Sequence, residues 1–268
     1  KDAAAFSVEP IQGEGGIIVP PEDYLKGAET LCKIYDTHLI LDEIQTGLGR
    51  TGKMFAAEHY GVKPDIMTLA KSLGGGVMPI GAFITTPEVW EKAYGGINKC
   101  LHHTSTFGGN TRACVAALAT LEVIYEENLI EQAQEKGNYL LSKLNELKTK
   151  HNMIKEVRGK GLMAGIEFYE PTRGQLDKIG GSLVRKLSHE YLASMMAFQL
   201  LDEYKVITAY TLNNPNVIRL EPPLSVTFEQ IDLLIKAFDE ICSRYKGFLG
   251  LTLQTGKFIA SKIFKKIR

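Results

Sequence analysis

Two residues with complementary chemistry follow consecutive apolar segments of the sequence. Asp42 closes the run HLILD, and Lys71 follows the run DIMTLA, 29 residues further along the chain. This separation is the length of one strand–helix–strand unit, so parallel strands would bring the carboxylate and the amine to one sheet edge. A lysine at an apolar strand end is partly desolvated, which favours the neutral amine that attacks carbonyl groups. The pair predicts Schiff-base chemistry on Lys71.

The segment after Asp42 permits a second interpretation. Gly47 to Lys53 has the G-x-x-x-x-G-K spacing of a phosphate-binding loop. In such loops a serine or threonine follows the lysine and holds magnesium, whereas this sequence has Met54. The loop also belongs before its acidic strand, but here it comes directly after Asp42 and Glu43. The sequence therefore argues against a nucleotide hydrolase.

The elements that must position Asp42 and Lys71 are those of an α/β fold. Apolar runs before Glu9, Asp42 and Lys71 predict buried strands, and helix-compatible segments lie between them. This alternation is typical of a mostly parallel sheet with helices on both faces. The sequence next predicts two helices, over residues 111–127 and 129–150.

After residue 128 the pattern changes to that of a smaller α+β domain. KEVRGKGLMAGIEF predicts a strand with a glycine turn, and VIRLEPPL predicts another strand. Thr227 and Gln230 form a capping box before a helix with an apolar stripe. These patterns predict a large domain over residues 1–127, a C-terminal domain over 128–245 and a basic amphipathic tail over 246–268.

Composition narrows the functional classes. The chain has 31 basic and 31 acidic residues. Six of the basic residues lie in residues 246–268, where no acid occurs, so residues 1–245 contain 25 basic and 31 acidic residues. This balance gives no electrostatic basis for nucleic-acid binding. The four cysteines show neither C-x-x-C pairs nor regular spacing, which predicts no metal site and a cytoplasmic protein. No apolar run approaches the length of a membrane span.

Four motifs resemble one family in order and spacing. They are VEPIQGEGG (8–16), the segment from LILDEIQTG to SLGGG (39–76), HTSTFGGN (103–110) and IRLEPPL (218–224). The sequence resembles the class III aminotransferases, which are pyridoxal 5'-phosphate enzymes of fold type I. The resemblance implies part of the large cofactor-binding domain followed by the smaller domain. It also implies that the N-terminal part of the fold, which holds the cofactor phosphate at a helix N-terminus, is missing.

The resemblance implies cofactor-binding roles for a set of residues. Lys71 would form the Schiff base and move the substrate proton, while Asp42 would pair with the pyridine nitrogen. Ile44 would pack on the ring face, and Gln45 would bond the phenolic oxygen. Ser105 and Thr106 would bind the phosphate of the neighbouring subunit, which implies a homodimer.

Two further residues resemble the substrate-binding pair of the family. Arg219 would grip the carboxylate of a 2-oxo acid, and Glu9 would neutralise Arg219 when an amine without that carboxylate is bound. Within the family the motifs look most like putrescine aminotransferases, which transfer an amino group from a diamine to 2-oxoglutarate. Acetylornithine, ornithine and 4-aminobutyrate aminotransferases share the catalytic residues. The alternative to an active enzyme is an inactive truncated product that binds nothing by itself.

The tail has its own alternatives. Apolar residues at helical spacing lie opposite lysines in residues 257–267, as in a basic amphipathic helix. Such a helix binds a membrane surface or an acidic partner, or packs against its own subunit. The sequence favours packing on its own subunit.

Overall fold

A computed structural model of the chain describes residues 3–169 and 181–245. These residues form two compact units. The first unit comprises residues 1–11 and 19–135, and the second comprises residues 12–18 and those from 136 onward. The sequence placed the domain change near residue 128. The predicted amphipathic tail, residues 246–268, lies outside the described residues.

The sheet of the first unit places the candidate site. Its strand order is β1-β2-β3-β4, formed by Ala5–Val8, His38–Asp42, Ile66–Leu69 and Ala82–Thr85. The first three strands are parallel, and β4 runs antiparallel to β3. Residues 70–81 contain a 3-10 turn and no α-helix, so this connection lacks the crossover that a parallel partner needs. The predicted α/β class with a mostly parallel sheet is confirmed; the antiparallel β4 was not predicted.

The helices of the first unit connect or follow these strands. They are α1 (Tyr24–Ile34), α2 (Pro87–Tyr94) and α3 (Thr111–Glu126). Buried Leu25 and Cys32 of α1 belong to the same core cluster as Leu39 and Leu41 of β2. The alternation along β2 explains this packing, because residues two apart point to the same face of a strand. Asp42 lies on the opposite face from Leu41.

The second unit contains an antiparallel sheet of order β5-β6-β8-β7. Its strands are β5 (Ile154–Lys160), β6 (Met163–Phe168), β7 (Ala209–Tyr210) and β8 (Val217–Leu220). Its helices are α4 (Leu129–Lys150, which begins in the first unit), α5 (Gly181–Tyr204) and α6 (Phe228–Arg244). The predicted capping box is confirmed. The Gln230 N–H donates to Thr227 Oγ1 at 3.2 Å, and the Thr227 N–H donates to Gln230 Oε1 at 3.0 Å.

Across residues 3–169 and 181–245, no helix combines the length and apolar character needed to cross a bilayer.

Candidate functional site

Asp42 and Lys71 come from neighbouring parallel strands. Asp42 is the last residue of β2 and lies in register with Thr68 of β3. Lys71 begins a 3-10 turn two residues after β3 ends, with a φ of 47°. Non-glycine residues seldom adopt a positive φ, and such residues concentrate at functional sites. The carboxyl ends of β2 and β3 thus bring both residues to one edge of the sheet.

A hydrogen bond connects Lys71 to a second predicted residue. Lys71 Nζ donates to Gln45 Oε1 at 2.9 Å, 26 positions away in sequence. The expected desolvation of Lys71 is not observed, because this residue is exposed. The 3-10 turn carries Lys71 away from the apolar strand, which explains the difference. What orients the amine is the Gln45 side chain.

Asp42 and Ile44 are held by the backbone that follows β2. Asp42 Oδ1 accepts a hydrogen bond from the Ile44 N–H at 3.0 Å. Both residues are half-buried. The bond fixes the direction of the carboxylate and leaves its other oxygen to bind a protonated group.

The motif residue Glu43 has a structural role. Its carboxylate is only 1% exposed and accepts bonds from the Thr46 hydroxyl and from the Ala56 and Ala57 N–H groups, the latter two at 3.0 and 2.7 Å. Burial raises the pKa of the Glu43 carboxyl, although the bonds from Thr46, Ala57 and Ala56 oppose that shift. Glu43 therefore ties the turn carrying Gln45 to the 3-10 helix Ala56–Tyr60.

The segment Gly47 to Lys53 passes through turns and opens no α-helix. A Cβ on Gly47 would lie 2.8 Å from the Glu43 carbonyl oxygen, so the first glycine serves close backbone packing. Phosphate-binding loops instead lead directly into a helix whose N-terminus faces the phosphate. This geometry agrees with the sequence argument against a nucleotide hydrolase.

Ser105 and Thr106 lie on an exposed loop of the first unit. The Gly108 N–H donates to the Ser105 carbonyl oxygen at 3.2 Å, which closes a turn. Helix α3 follows, and the Asn110 side chain caps it by accepting from the Ala113 N–H at 3.0 Å. The two hydroxyls are thus presented just before a helix N-terminus, and their proposed contact with a neighbouring subunit stays a prediction.

Glu9 and Arg219 belong to different units. Within the second unit, Arg219 Nη1 lies 2.6 Å from Glu14 Oε1, and its Nε lies 3.2 Å from Glu221 Oε2. Sequence reasoning missed Glu14 as a partner of Arg219. Its position between glycines in QGEGG was a signal, because a charged residue on a glycine turn is well placed for binding.

The described residues include no group of three or more His, Cys, Asp or Glu side chains able to hold a metal ion.

Comparison with known proteins identifies the family. The class-III aminotransferase profile matches residues 1–242. The chain belongs to the class-III aminotransferases. Among solved structures it is similar to a Bacillus anthracis aminotransferase at 35% identity, covering 90% of this chain and 52% of that one, with a TM-score of 0.77.

Two further aminotransferase structures are comparably similar. Acetylornithine aminotransferase from Elizabethkingia anophelis is 37% identical, with 90% and 57% of the chains covered and a TM-score of 0.76. An ornithine aminotransferase from Toxoplasma gondii, described with partial occupancy of PLP at its active site, is 37% identical, with 88% and 50% covered and a TM-score of 0.75. The chain spans about half the length of these matched structures.

Class-III aminotransferases use pyridoxal phosphate, and the donor set at the edge of β2 and β3 fits this cofactor. Asp42 offers a carboxylate for a ring nitrogen, Gln45 an amide for a ring oxygen, and Lys71 an amine for an aldehyde. Beside them the Thr68 hydroxyl oxygen is buried without a hydrogen-bond partner. Thr68 lies in register with Asp42, so a hydroxyl without a hydrogen-bond partner also lies near this edge of the sheet.

Proposed function

We propose that this chain contributes Lys71 to a pyridoxal-phosphate-dependent transfer of an amino group from a terminal amine to 2-oxoglutarate. The observation that carries the proposal is the 2.9 Å hydrogen bond between Lys71 Nζ and Gln45 Oε1, beside Asp42 on the adjacent parallel strand. Residues with the required chemistry thus follow two neighbouring parallel strands, at the kind of sheet edge where α/β folds bind ligands, which supports the proposal.

Each residue has one task in this proposal. Asp42, oriented by the Ile44 N–H, would hold a proton on the ring nitrogen through a charge-assisted hydrogen bond. Lys71 would hold the cofactor aldehyde through Nζ, and its amine would take the proton from the substrate carbon. When bound, the cofactor supplies a ring that accepts the electrons released with that proton.

The remaining predicted residues keep the roles that the family resemblance implies. Gln45 orients Lys71 and would bond the ring oxygen, while Ile44 would pack on the ring. Ser105 and Thr106 bind cofactor phosphate of a second subunit, so the proposal includes a homodimer. Glu9 and Arg219 act on the substrate, and the cysteine pattern favours a cytoplasmic setting.

The first test of this function is covalent labelling. The chain is incubated with pyridoxal phosphate, reduced with borohydride, and the labelled peptide is located by mass. One label on Lys71 is expected, absent in Lys71→Ala and retained in Lys53→Ala, a matched control because Lys53 is also an exposed lysine of the first unit. Scattered or absent labelling would support the alternative of an inactive piece.

The amine substrate is proposed to be a diamine such as putrescine, from the resemblance of the motifs. The matched ornithine and acetylornithine aminotransferases give equal support to the alternative that the substrate is ornithine or acetylornithine. Transfer rates to 2-oxoglutarate from putrescine, ornithine, acetylornithine and 4-aminobutyrate decide between them. If putrescine is the poorest donor, the diamine proposal is wrong.

A further inference from the structure

The backbone of Lys71 is in a conformation that its surroundings must hold. Its φ of 47° is unusual for a residue other than glycine, and such conformations persist only where the neighbouring structure enforces them. Lys71 opens a 3-10 turn, which the Gly75 N–H closes by donating to the Ser72 carbonyl oxygen at 3.0 Å. This bond lies within the turn, so it does not fix where the turn lies against the rest of the first unit.

Helix α3 packs against this turn. Ala113, Ala117, Thr120 and Ile124 follow one another at intervals of four, three and four residues, so they lie on one face of the helix. The two alanines and Ile124 are buried, and Thr120 is half-buried. Thr120 therefore lies on the face of α3 that is turned inward.

Thr120 meets the turn at Gly75. A Cβ on Gly75 would lie 2.6 Å from Thr120 Oγ1, which is too close for any side chain. Gly75 also has a φ of 60°, which glycine adopts without strain. The absence of a side chain at Gly75 thus lets the Thr120 hydroxyl approach the backbone of the turn.

The Thr120 hydroxyl is itself fixed in direction. Its Oγ1 donates to the Ala116 carbonyl oxygen at 2.8 Å, one helical turn earlier in α3. A β-branched side chain has few rotamers in a helix, and this bond selects one of them. Because the hydroxyl would lose the bond by rotating away, α3 presents a fixed contact to Gly75.

We propose that Thr120 is a positioning residue for Lys71. Its contact with Gly75 fixes where residues 71–75 lie against α3, and this sets the point from which the Lys71 side chain reaches Gln45. Thr120 thus acts through the backbone of the turn. The inference rests on the proposed function, because it concerns the amine that would hold the cofactor aldehyde.

The test measures labelling of Lys71 by limiting pyridoxal phosphate and borohydride, relative to labelling of Lys53. Gly75→Ala should lower this ratio about tenfold, because the added methyl group meets Thr120. The double variant with Thr120→Ala removes the obstacle and should regain about threefold of that loss.

Two further variants separate the contact from other effects. Thr120→Ala alone should lower the labelling ratio about threefold, whereas Thr120→Ser keeps the hydroxyl and should label like the wild type. Gly61→Ala is the matched control for backbone strain. Gly61 also has a φ of 60°, but a Cβ there would have no atom within 4 Å beyond its chain neighbours, so Lys71 labelling should stay unchanged.

Hydrogen exchange follows the turn without any cofactor. The amides of residues 75, 77 and 78 bond to carbonyl oxygens of Ser72 and Gly74, and Gly75→Ala should speed their exchange while the double variant slows it again. If wild-type Lys71 takes no label, the proposed function fails, and these exchange rates still decide whether Thr120 holds the turn.

Three outcomes would overturn the inference. They are equal labelling in Gly75→Ala and the wild type, no recovery in the double variant, and exchange that rises throughout the first unit instead of at residues 71–78. Circular dichroism checks that each variant folds. If Gly75→Ala does not fold, the comparison of Thr120→Ala with Thr120→Ser decides, and equal labelling in these two variants would contradict a role for the hydroxyl.

Discussion

At the level of single residues, the reactive amine of the candidate site is oriented by one neighbour. Lys71 is exposed and stands in a left-handed backbone conformation, so the sheet itself does little to aim its side chain. Its Nζ donates to Gln45 Oε1, and that bond supplies the direction. The function of Lys71 should therefore depend on Gln45 more than on the apolar residues before it.

Replacing Gln45 tests this dependence. Gln45→Leu should lower the fraction of Lys71 labelled by limiting pyridoxal phosphate about fivefold, since a hydrogen bond contributes about 1 kcal/mol. Gln45→Glu keeps an oxygen for Nζ and should restore most of the labelling. Equal labelling in the leucine variant and the wild type would show that Gln45 does not position the amine.

Two threonines of the first unit offer a matched comparison. The Thr68 hydroxyl is buried without a partner, whereas the buried Thr46 hydroxyl bonds to Glu43. Thr68→Val should therefore leave the free energy of unfolding unchanged or raise it, by up to about 1 kcal/mol. Thr46→Val should lower it by about 2 kcal/mol, because Glu43 loses a donor. Urea unfolding followed by the fluorescence of Trp90, the single tryptophan, measures both. Destabilisation by Thr68→Val as large as by Thr46→Val would contradict the assignment.

At the level of elements, one buried carboxylate connects the turn after β2 to a 3-10 helix. Glu43 accepts the N–H groups of Ala56 and Ala57 at the start of that helix. Such N–H groups have no partner within their own helix, so a side chain must satisfy them. The turn that carries Gln45 is thereby fixed to a rigid element.

Removing this carboxylate should destabilise the first unit. Glu43→Ala should lower the free energy of unfolding by about 3 kcal/mol, because buried donors lose their acceptor. Glu58→Ala is the control: Glu58 accepts the Phe55 N–H at 2.8 Å at the start of the same helix but is exposed, so its loss should cost about 1 kcal/mol or less. Trp90 fluorescence in urea reports both values, and equal costs would argue against burial as the cause.

The predicted strands and helices followed from patterns that are local in sequence. Apolar runs placed β2 and β3, and the Thr227 capping box placed the start of α6. Helix α2 was missed although Thr86 caps it and Pro87 occupies its first turn. That signal was readable, but a helix of eight residues gives too short a periodic pattern to stand out.

The site was predictable only where neighbours in sequence are neighbours in space. Asp42, Ile44 and Gln45 share one turn, and Lys71 follows the adjacent strand. The bond between Glu14 and Arg219 joins residues 205 positions apart. Nothing local to either residue specifies that contact, because it depends on how the turn 12–18 packs on β6. The exposure of Lys71 was also mispredicted, since it depends on the turn that follows the strand.

At the level of the whole molecule, the chain carries two sheets in two units, and stability can be measured for each. In the second unit, Asp239 of α6 bonds to the residues that end α4. Its Oδ2 lies 2.7 Å from Lys150 Nζ, and its Oδ1 lies 2.6 Å from His151 Nε2. Lys150 first, and then His151, lower the pKa of the Asp239 carboxyl. These bonds connect α4 to α6 within the second unit.

This lowered pKa predicts how stability depends on pH. A carboxyl whose pKa is lower in the folded state stabilises the fold above the ordinary aspartate value, about 3.9, and loses that effect as pH falls through the folded value. Near neutral pH the free energy of unfolding of the wild type should exceed that of Asp239→Asn by about 1 kcal/mol. The difference is small because the Asp239 side chain is about one-third exposed. The difference should shrink as the pH falls below that ordinary value, and it should vanish once the carboxyl is protonated in the folded protein as well.

Urea unfolding of wild type and Asp239→Asn at several pH values measures this difference by circular dichroism, while Trp90 fluorescence follows the first unit alone. Lys150→Met removes the largest cause of the lowered pKa and should lose part of the pH dependence. A difference that stays constant with pH would mean that Asp239 acts by packing and neutral hydrogen bonds. If the difference shrinks on acidification and the substitution leaves the Trp90 transition unchanged, the ionised Asp239 carboxylate stabilises the second unit.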